Sequence, residues 1–554
     1  MRGIVCEAGF ADASHAGPAH SRVPAGKMSY KGGHRMSALK NVDLSRRGFV
    51  AGAALAAGAA GVADAVPLAH ADEVTWDGTY DVIVCGGGGS GLTAAYSALE
   101  QGAEKVLVLE KGDACGGTTA TAEGAVQASG TSWQKELGVN GVDDDSADKH
   151  YAFWMQDGEG LVDPDLVRVM ADNAADNLQW MADSFGITYS KVFGCYPAAY
   201  TDPANMADRI HLITDAADAT KTGGVVWTTN AEAAVREAGG EIMTGTAAAH
   251  LVMGDDGVAG VETADGKHYQ ATKGVVLAMS GIEHNEELAK KYNPQQYWDL
   301  KTQAVATAAT DTGDGIVMGI EAGADVGRFG GAVDLLLATW SYTNNTNPEI
   351  PYILVNQRGV RFVREDTTYA FHCRAIYNAC IQEGGFDDEA GTTGCTWMVM
   401  DNKMTSVSQA AWSDPDKLQE ALDDGSMVTG QTIEELADAM GVDPDVLKFS
   451  VDKWNDDVAA GKDSLYGREV QLTALDEAPF YAWKTVNTNI GSIGGLKITT
   501  DAQVVDRTGE PIAHLFAAGT NSGGWLGPYY PGSGTCLQGT LNWGRIAGAS
   551  AAKA

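Results

Sequence analysis

The stretch "YDVIVCGGGGSGLTAAYSALEQGAEKVLVLEK" opens on an unbroken apolar run, the mark of a strand buried on both faces. Its pattern predicts a strand from Asp81 to Cys85, a glycine turn, a helix to about Gln101, and a second strand from Lys105 to Glu110. Far along the chain, "TIEELADAMGVDPDVLKFSVDKWNDDVAAG" spaces its apolar residues as a helix does, with Thr432 as its cap and Glu435 three positions on. A final helix is expected after "YYPGSG", Tyr529 to Gly534, where Pro-Gly makes a tight turn. Beyond residue 71 there is no apolar run of about eighteen or more residues, so the mature chain is expected to carry no membrane span.

The first of these patterns carries chemistry. Gly86-x-Gly88-x-x-Gly91 sits between strand and helix, where a dinucleotide needs a tight turn, close backbone approach to pyrophosphate, and close helix–strand packing. The helix N-terminus then presents free N–H groups and its positive dipole end to the phosphates. Glu110 ends the second strand, where an acid can hold a ribose hydroxyl.

Composition changes the picture in two places. The chain has 554 residues and a formal charge of −35, which argues against nucleic-acid or anionic-membrane partners, since both need Lys/Arg clusters. Near the start, Ser45-Arg46-Arg47-Gly48-Phe49-Val50 resembles a twin-arginine export motif. A weakly apolar run and the small-residue site Ala69-His70-Ala71 follow it. Residues 1–71 are therefore expected to be a signal peptide, with Met36 an alternative start, and the protein to be exported already folded to the periplasm or cell surface. From Asp72 onward, 30 basic residues face 69 acidic ones, so the acidity belongs to the mature chain. The eight cysteines form no C-x-x-C, and no iron–sulfur or covalent haem site is legible. Cys373 and Cys380 are close enough in sequence to pair, but reduced buried thiols are the simpler reading.

Four ordered segments resemble the fumarate reductase and succinate dehydrogenase flavoprotein superfamily. They are "EKGDACGGTTATAEGAVQASG", "GVVLAMSGIEHNEEL", "NQRGVRFVRED" and "GEPIAHLFAAGTNSGG". The resemblance runs from about Tyr80 to the C-terminus. It implies an α/β fold: a Rossmann-like FAD-binding domain in two pieces, 72–327 and 489–554, with an inserted α+β capping domain at 328–488. It also implies non-covalent FAD held by Gly86, Gly88, Gly89, Ser90, Gly91, Glu110 and Lys111, by Gly117, Thr118, Thr119 and Gly124, by Ala248, Ser280 and Gly281, and by Gly519, Asn521, Cys536 and Leu537. No second nucleotide fingerprint is apparent, so the resemblance points to a separate electron donor, an envelope cytochrome or a quinol-linked partner.

Within that superfamily the soluble fumarate reductases place a catalytic arginine after the Arg-Phe-x-x-Glu stretch, and this chain has Tyr369 there. Their two histidine-bearing segments correspond to "NIGSIGG" (Asn489 to Gly495) and "AVDLLLATW" (Ala332 to Trp340), which contain no histidine. A dicarboxylate would meet little positive charge. The segment "YPGSG" instead resembles the Tyr-Pro-Gly-x-Gly of 3-ketosteroid Δ1-dehydrogenases. On that resemblance, the Tyr530 hydroxyl and the Gly534 N–H polarise a ketone and Tyr369 transfers the proton. Tyr196 and Tyr200 match a third tyrosine of that family only loosely.

The chemistry these residues suit is reduction of a C=C bond beside a carbonyl. Hydride passes from flavin N5 to the β carbon, Tyr369 protonates the α carbon, and Tyr530 with Gly534 stabilises the enolate between them. A neutral tyrosine, with a reference pKa of about 10, is ready as an acid at pH 7, which favours the reductive direction. The overall pattern resembles exported respiratory flavoprotein reductases acting on enones, lactones or unsaturated aryl acids. A ketosteroid-type dehydrogenase, an aryl acrylate reductase and a non-catalytic flavin carrier stand as alternatives. Asp314, His284, His372, Arg361 and Cys536 read as turn, packing or loop-orienting residues.

Overall fold

The computed structural model describes residues 68–138, 144–194, 200–302, 304–336, 352–384, 396–407, 411–485, 487–528 and 530–554. Strand β1 (Gly78–Cys85), helix α1 (Gly89–Glu100) and strand β2 (Val106–Leu109) fall where the apolar pattern puts them. Val82 to Cys85 and all of β2 are buried, which is why neither run alternates. The two strands pair in parallel, Val82 opposite Val106. Strand β3 (Ala125–Gln127) leaves this sheet and pairs antiparallel with Ile210–Asp215. Strands β4 (Glu241–Met243) and β5 (His268–Leu277) then join the main sheet in parallel, beside β2 and β1. A hairpin, Ala248–Gly254 and Gly257–Thr263, hangs antiparallel on β5.

Of the expected export segment, residues 1–67 lie outside the described residues. The proposed cleavage site is described, and it lies along that hairpin: the Ala71 N–H donates to the Met253 carbonyl at 2.8 Å, and the Met253 N–H to Ala69 at 2.9 Å.

Between residues 352 and 484 the pairing turns antiparallel. Four strands lie in the order Tyr352–Val355, Trp397–Met400, Phe480–Lys484, Met427–Gly430. Helix α2 (Tyr369–Gly384) begins at the tyrosine singled out above. The helical pattern of residues 432–461 forms two helices rather than one, Ile433–Met440 and Pro444–Ala459. Gly441 ends the first at φ +74°, and Asp443 caps the second with Pro444 in its first turn. The Thr432 hydroxyl accepts the Glu435 N–H at 3.1 Å as its spacing suggests, while the Glu435 carboxylate reaches the Gln431 N–H at 2.8 Å.

Arg361 is buried here, bonded to Glu365 and to both carboxylate oxygens of Asp463 at 2.9 and 2.8 Å. It ties a loop to this region, as its orienting role requires. His372 is buried with Nε2 at 3.2 Å from the Arg364 carbonyl, and burial pushes its ionisation down to about 4. Cys373 and Cys380 are both buried.

The chain returns to the first sheet through β6 (Gln503–Val505) and β7 (Pro511–Ala517). β7 lies parallel to β5, Phe516 opposite Val276, which gives the order β6–β7–β5–β1–β2–β4. The last helix, α3 (Thr535–Ala551), packs on α1 with glycines at the contact. A Cβ at Gly544 would lie 2.6 Å from the Ser90 carbonyl oxygen, and one at Gly548 2.0 Å from that of Ala94. Those contacts step forward together, so the two helices run in the same direction. At about 1.5 Å per residue α3 starts about 12 Å before the start of α1. No helix among the described residues is long and apolar enough to cross a membrane.

Candidate active site

The glycine turn after β1 is shaped by close approach. Gly86 sits at φ +104°, and a Cβ there would lie 2.3 Å from the Ala278 carbonyl oxygen; one at Gly91 would lie 1.9 Å from that of Gly86. At Gly88 the nearest atom to an added Cβ is 3.8 Å away, which leaves room for a pyrophosphate. Gly88 caps α1 without a side chain, which leaves the amides of Ser90 and Gly91 for a phosphate in that space. Thr119 Oγ1 accepts the Gly89 N–H at 3.3 Å, and Gly117 lies beside Gly88. Gly124 closes the segment against the Gly223 backbone.

Glu110 stands at the end of β2. Its two oxygens accept the N–H groups of Gly87 at 2.7 Å and Gly112 at 2.6 Å. A carboxylate has roughly four lone-pair sites, so capacity remains for a ribose hydroxyl. Ala248 starts the hairpin nearby, where the Thr246 N–H donates to the Glu110 carbonyl at 2.8 Å. Lys111 is bonded to Asp314 and Thr312, both at 2.7 Å, which makes Asp314 its counter-ion.

Two more segments converge on the same end of the sheet. Ser280 follows β5 at φ +64°, with its hydroxyl 3.2 Å from that of Thr520. Gly281 lies against Ser492, and a Cβ at Gly519 would lie 2.7 Å from the Ser90 hydroxyl. Thr118 donates to Asp311 at 2.5 Å and accepts the Ala308 N–H at 2.7 Å. Asn521 accepts the Met279 N–H at 3.0 Å, but its buried Nδ2 has no protein partner. A crevice at the carboxyl ends of β1, β5 and β7, fronted by a bare helix N-terminus and holding an orphaned amide donor, fits a dinucleotide.

The first turn of α3 lies next to the two tyrosines, with Cys536 and Leu537 half-buried in it. Tyr369 and Tyr530 come from positions 161 residues apart, yet their ring centroids are 6.1 Å apart. The Tyr369 hydroxyl is 3.1 Å from Ser533 Oγ. Tyr530 Oη accepts the Gly534 N–H at 3.1 Å and the Cys536 N–H at 3.4 Å.

This arrangement revises one sequence expectation. The resemblance implies Tyr530 and Gly534 as parallel donors to one ketone; in this structure the Gly534 N–H is spent on the tyrosine oxygen, so the two stand in series. The reason is Gly534 itself, the N-cap of α3 at φ +92°, which aims its amide back at the hydroxyl. Burial pushes the Tyr530 phenol well above its ordinary value and the Cys536 side chain adds to this, against the pull of the N–H groups of Cys536 and Gly534. Tyr530 is therefore a neutral donor. Cys536 is likewise pushed up to about 12 by burial and the charge of Glu283, so it is no thiolate. Tyr200 is 44% exposed and packs on Phe371, two residues beyond Tyr369 on α2. Tyr196 lies outside the described residues.

The two segments without histidines hold a feature that residue spacing does not reveal. Asp334 and Asn489 face each other across the strands Ala332–Leu336 and Asn487–Ser492. Asn489 donates to Asp299 at 2.9 Å and to Gln296 at 2.8 Å, and Gln295 donates to Asp334 at 2.8 Å. Arg374 of α2 donates to Gln295 at 2.5 Å. Burial raises both carboxyls. Asp334 is pushed up to about 7, and Asp299 is pushed well above the carboxylate range by burial and the neighbouring Asp334 charge.

A raised carboxyl contributes stability below its unfolded value of about 4 and loses it as pH rises through the folded value of about 7. Asp334→Asn removes that loss. The melting temperature of the variant relative to the parent should climb between pH 5 and pH 8, worth on the order of 2–4 kcal/mol. A pH-independent difference in paired thermal melts would show that Asp334 does not titrate in this range.

Cradle and paired tyrosines together define a flavin-dependent oxidoreductase. The chain belongs to the FAD binding domain family, which it matches over residues 81–537, and FAD is its cofactor. A digoxin reductase of Eggerthella lenta is 28% identical over 94% of this chain and 96% of its own. A urocanate reductase of the same organism is 29% identical over 85% of this chain and 74% of its own. Among solved structures, the 3-ketosteroid-Δ4-(5α)-dehydrogenase of Rhodococcus jostii RHA1 shares the fold. Its TM-score is 0.71 at 24% identity, covering 88% of this chain and 100% of that one.

Proposed function

We propose that this enzyme reduces the C=C bond of a neutral α,β-unsaturated carbonyl compound, an enone, steroid or lactone. The observation that carries the reading is the pairing of Tyr369 with Tyr530, whose hydroxyl is backed by the N–H groups of Gly534 and Cys536. Bound FAD supplies the hydride to the β carbon. Tyr530 donates its hydrogen to the substrate carbonyl, and charge growing on that oxygen is passed through the phenol to the N-terminal amides of α3. Tyr369, steadied by Ser533, gives the proton to the α carbon. Burial at Tyr530 serves this step, because it keeps the phenol protonated.

The substrate's lack of charge follows from the sequence: the segments that correspond to the histidine-bearing ones of fumarate reductases carry Asn489 and Asp334 and no histidine, and Tyr369 stands at the place of their catalytic arginine. A carboxylate substrate would find none of those positive groups there. The reading also takes residues 72–327 and 489–554 as the FAD-binding part and 328–488 as the cap. It includes export by the twin-arginine route and an envelope cytochrome or quinol-linked donor.

The test is anaerobic. The FAD-loaded protein is reduced, mixed with steroid enones, unsaturated lactones, aryl acrylates or fumarate, and followed by flavin absorbance. Fast reoxidation by a neutral ketone or lactone, with fumarate inert, is the expected result. Reoxidation by acrylates or fumarate alone would overturn it, and bleaching of the oxidised protein by a saturated ketosteroid would turn the reading to the oxidative direction.

A further inference from the structure

The turn that carries Tyr530 is held by one side chain from a distant strand. Gln127, the last residue of β3, donates its backbone N–H to the Gly534 carbonyl at 3.2 Å. Its Nε2 donates to the carbonyls of Pro531 at 3.2 Å and Ser533 at 3.1 Å, so both amide hydrogens are used. Its Oε1 lies 3.4 Å from Nε2 of His150, on the helix Ala147–Asp157. Burial, with the Arg209 charge adding, pushes the ionisation of His150 well below the ordinary range, so the ring is neutral. The two turn carbonyls can only accept, so they settle that the amide nitrogen points at the turn, and the His150 nitrogen opposite Oε1 then carries the ring hydrogen. Gly534 is packed so tightly on β3 that an added Cβ would lie 2.7 Å from the Gln127 nitrogen.

We infer that Gln127 is the positioning residue of the donor turn, holding Pro531 to Gly534 in the one register that sets Tyr530 Oη against the helix amides and Ser533 Oγ against Tyr369. The inference rests on the function proposed above. Two glycines at positive φ, Gly532 and Gly534, make this turn free to adopt other shapes. Three bonds from one rigid strand remove that freedom. A misplacement of about 1 Å at such a site can cost about 10²-fold in rate.

Gln127→Met keeps length and volume but loses the amide. In the FAD-loaded enzyme, kcat for enone reduction should fall about 10²-fold, with KM nearly unchanged and reduction of ferricyanide at the parent rate. Deuterium uptake by the amides of residues 530–537 should rise. Because Gln127 acts through the turn, Gln127→Met added to Tyr530→Phe should cost little beyond Tyr530→Phe alone. Multiplying losses would mean an independent structural role and would overturn the inference.

Should Gln127→Met fail to fold, His150→Phe frees the amide to rotate. About tenfold is then expected, about 1.4 kcal/mol, again absent in the Tyr530→Phe background; an unchanged rate sinks the idea. The two levels separate cleanly. Tyr530→Phe without effect removes the proposed function, and the clamp with it. Tyr530→Phe slow with Gln127→Met at the parent rate removes the clamp alone.

Discussion

Tyr369→Phe should slow enone reduction by about 10²–10⁴-fold, the usual contribution of a positioned acid. The ring is 1% exposed and sits at the start of α2, so phenylalanine fills the same space and only the hydroxyl is lost. The Ser533 hydroxyl then loses its partner at 3.1 Å, a neutral bond worth about 1 kcal/mol. Folding and FAD content should survive. Stopped-flow reoxidation measures the effect, with ferricyanide as a control that takes electrons and no carbon-bound proton. The solvent isotope effect on the enone reaction should also change. Equal losses with enone and ferricyanide would place the defect in the cofactor site and not in proton delivery.

Tyr530→Phe is the second large effect, at about 10²–10³-fold, or about 3–4 kcal/mol of barrier. It removes the hydrogen bond to the substrate carbonyl and leaves the N–H groups of Gly534 and Cys536 without their acceptor. The buried Gly534 amide facing a ring edge costs stability as well, about 1–3 kcal/mol when left unsatisfied. The melting temperature should therefore drop, unlike that of Tyr369→Phe. Steady-state rates with a series of ketones and lactones give the check. A loss confined to KM would mean that Tyr530 only binds substrate, with no greater hold on the transition state.

Much of the cofactor site is legible in the chain's local patterns. The run from Val82 to Cys85, the spacing of Gly86, Gly88 and Gly91, and Glu110 at the end of β2 obey rules that act over a few residues: burial on both faces, left-handed backbone, and a helix start. Thr432 is legible as a cap for the same reason. The break at Gly441 is written in the chain too, as Gly followed by Asp443 and Pro444, but the apolar spacing continues across it and masks the stop. Tyr369 and Tyr530 stand out by their neighbours in sequence, with no sign there of how close they come in space.

What the amino-acid sequence determined by itself, then, is a dinucleotide turn, its flanking strands and helix, and the residue types available for catalysis, because each depends on steric and hydrogen-bonding rules local to the chain. What only the tertiary structure decided is which partners those residues meet. The Gly534 N–H turned out to serve Tyr530. Gln127, with nothing in its own neighbourhood to mark it, spans more than 400 positions to hold the Pro531 and Ser533 carbonyls. Asp299 and Asp334 are pushed up because folding buries them beside each other, one on the helix Pro294–Thr302 and the other on the strand Ala332–Leu336. Hydrogen bonds and buried charge are set by three-dimensional neighbours and by exclusion of water, and neither has a period or a spacing that a chain can display.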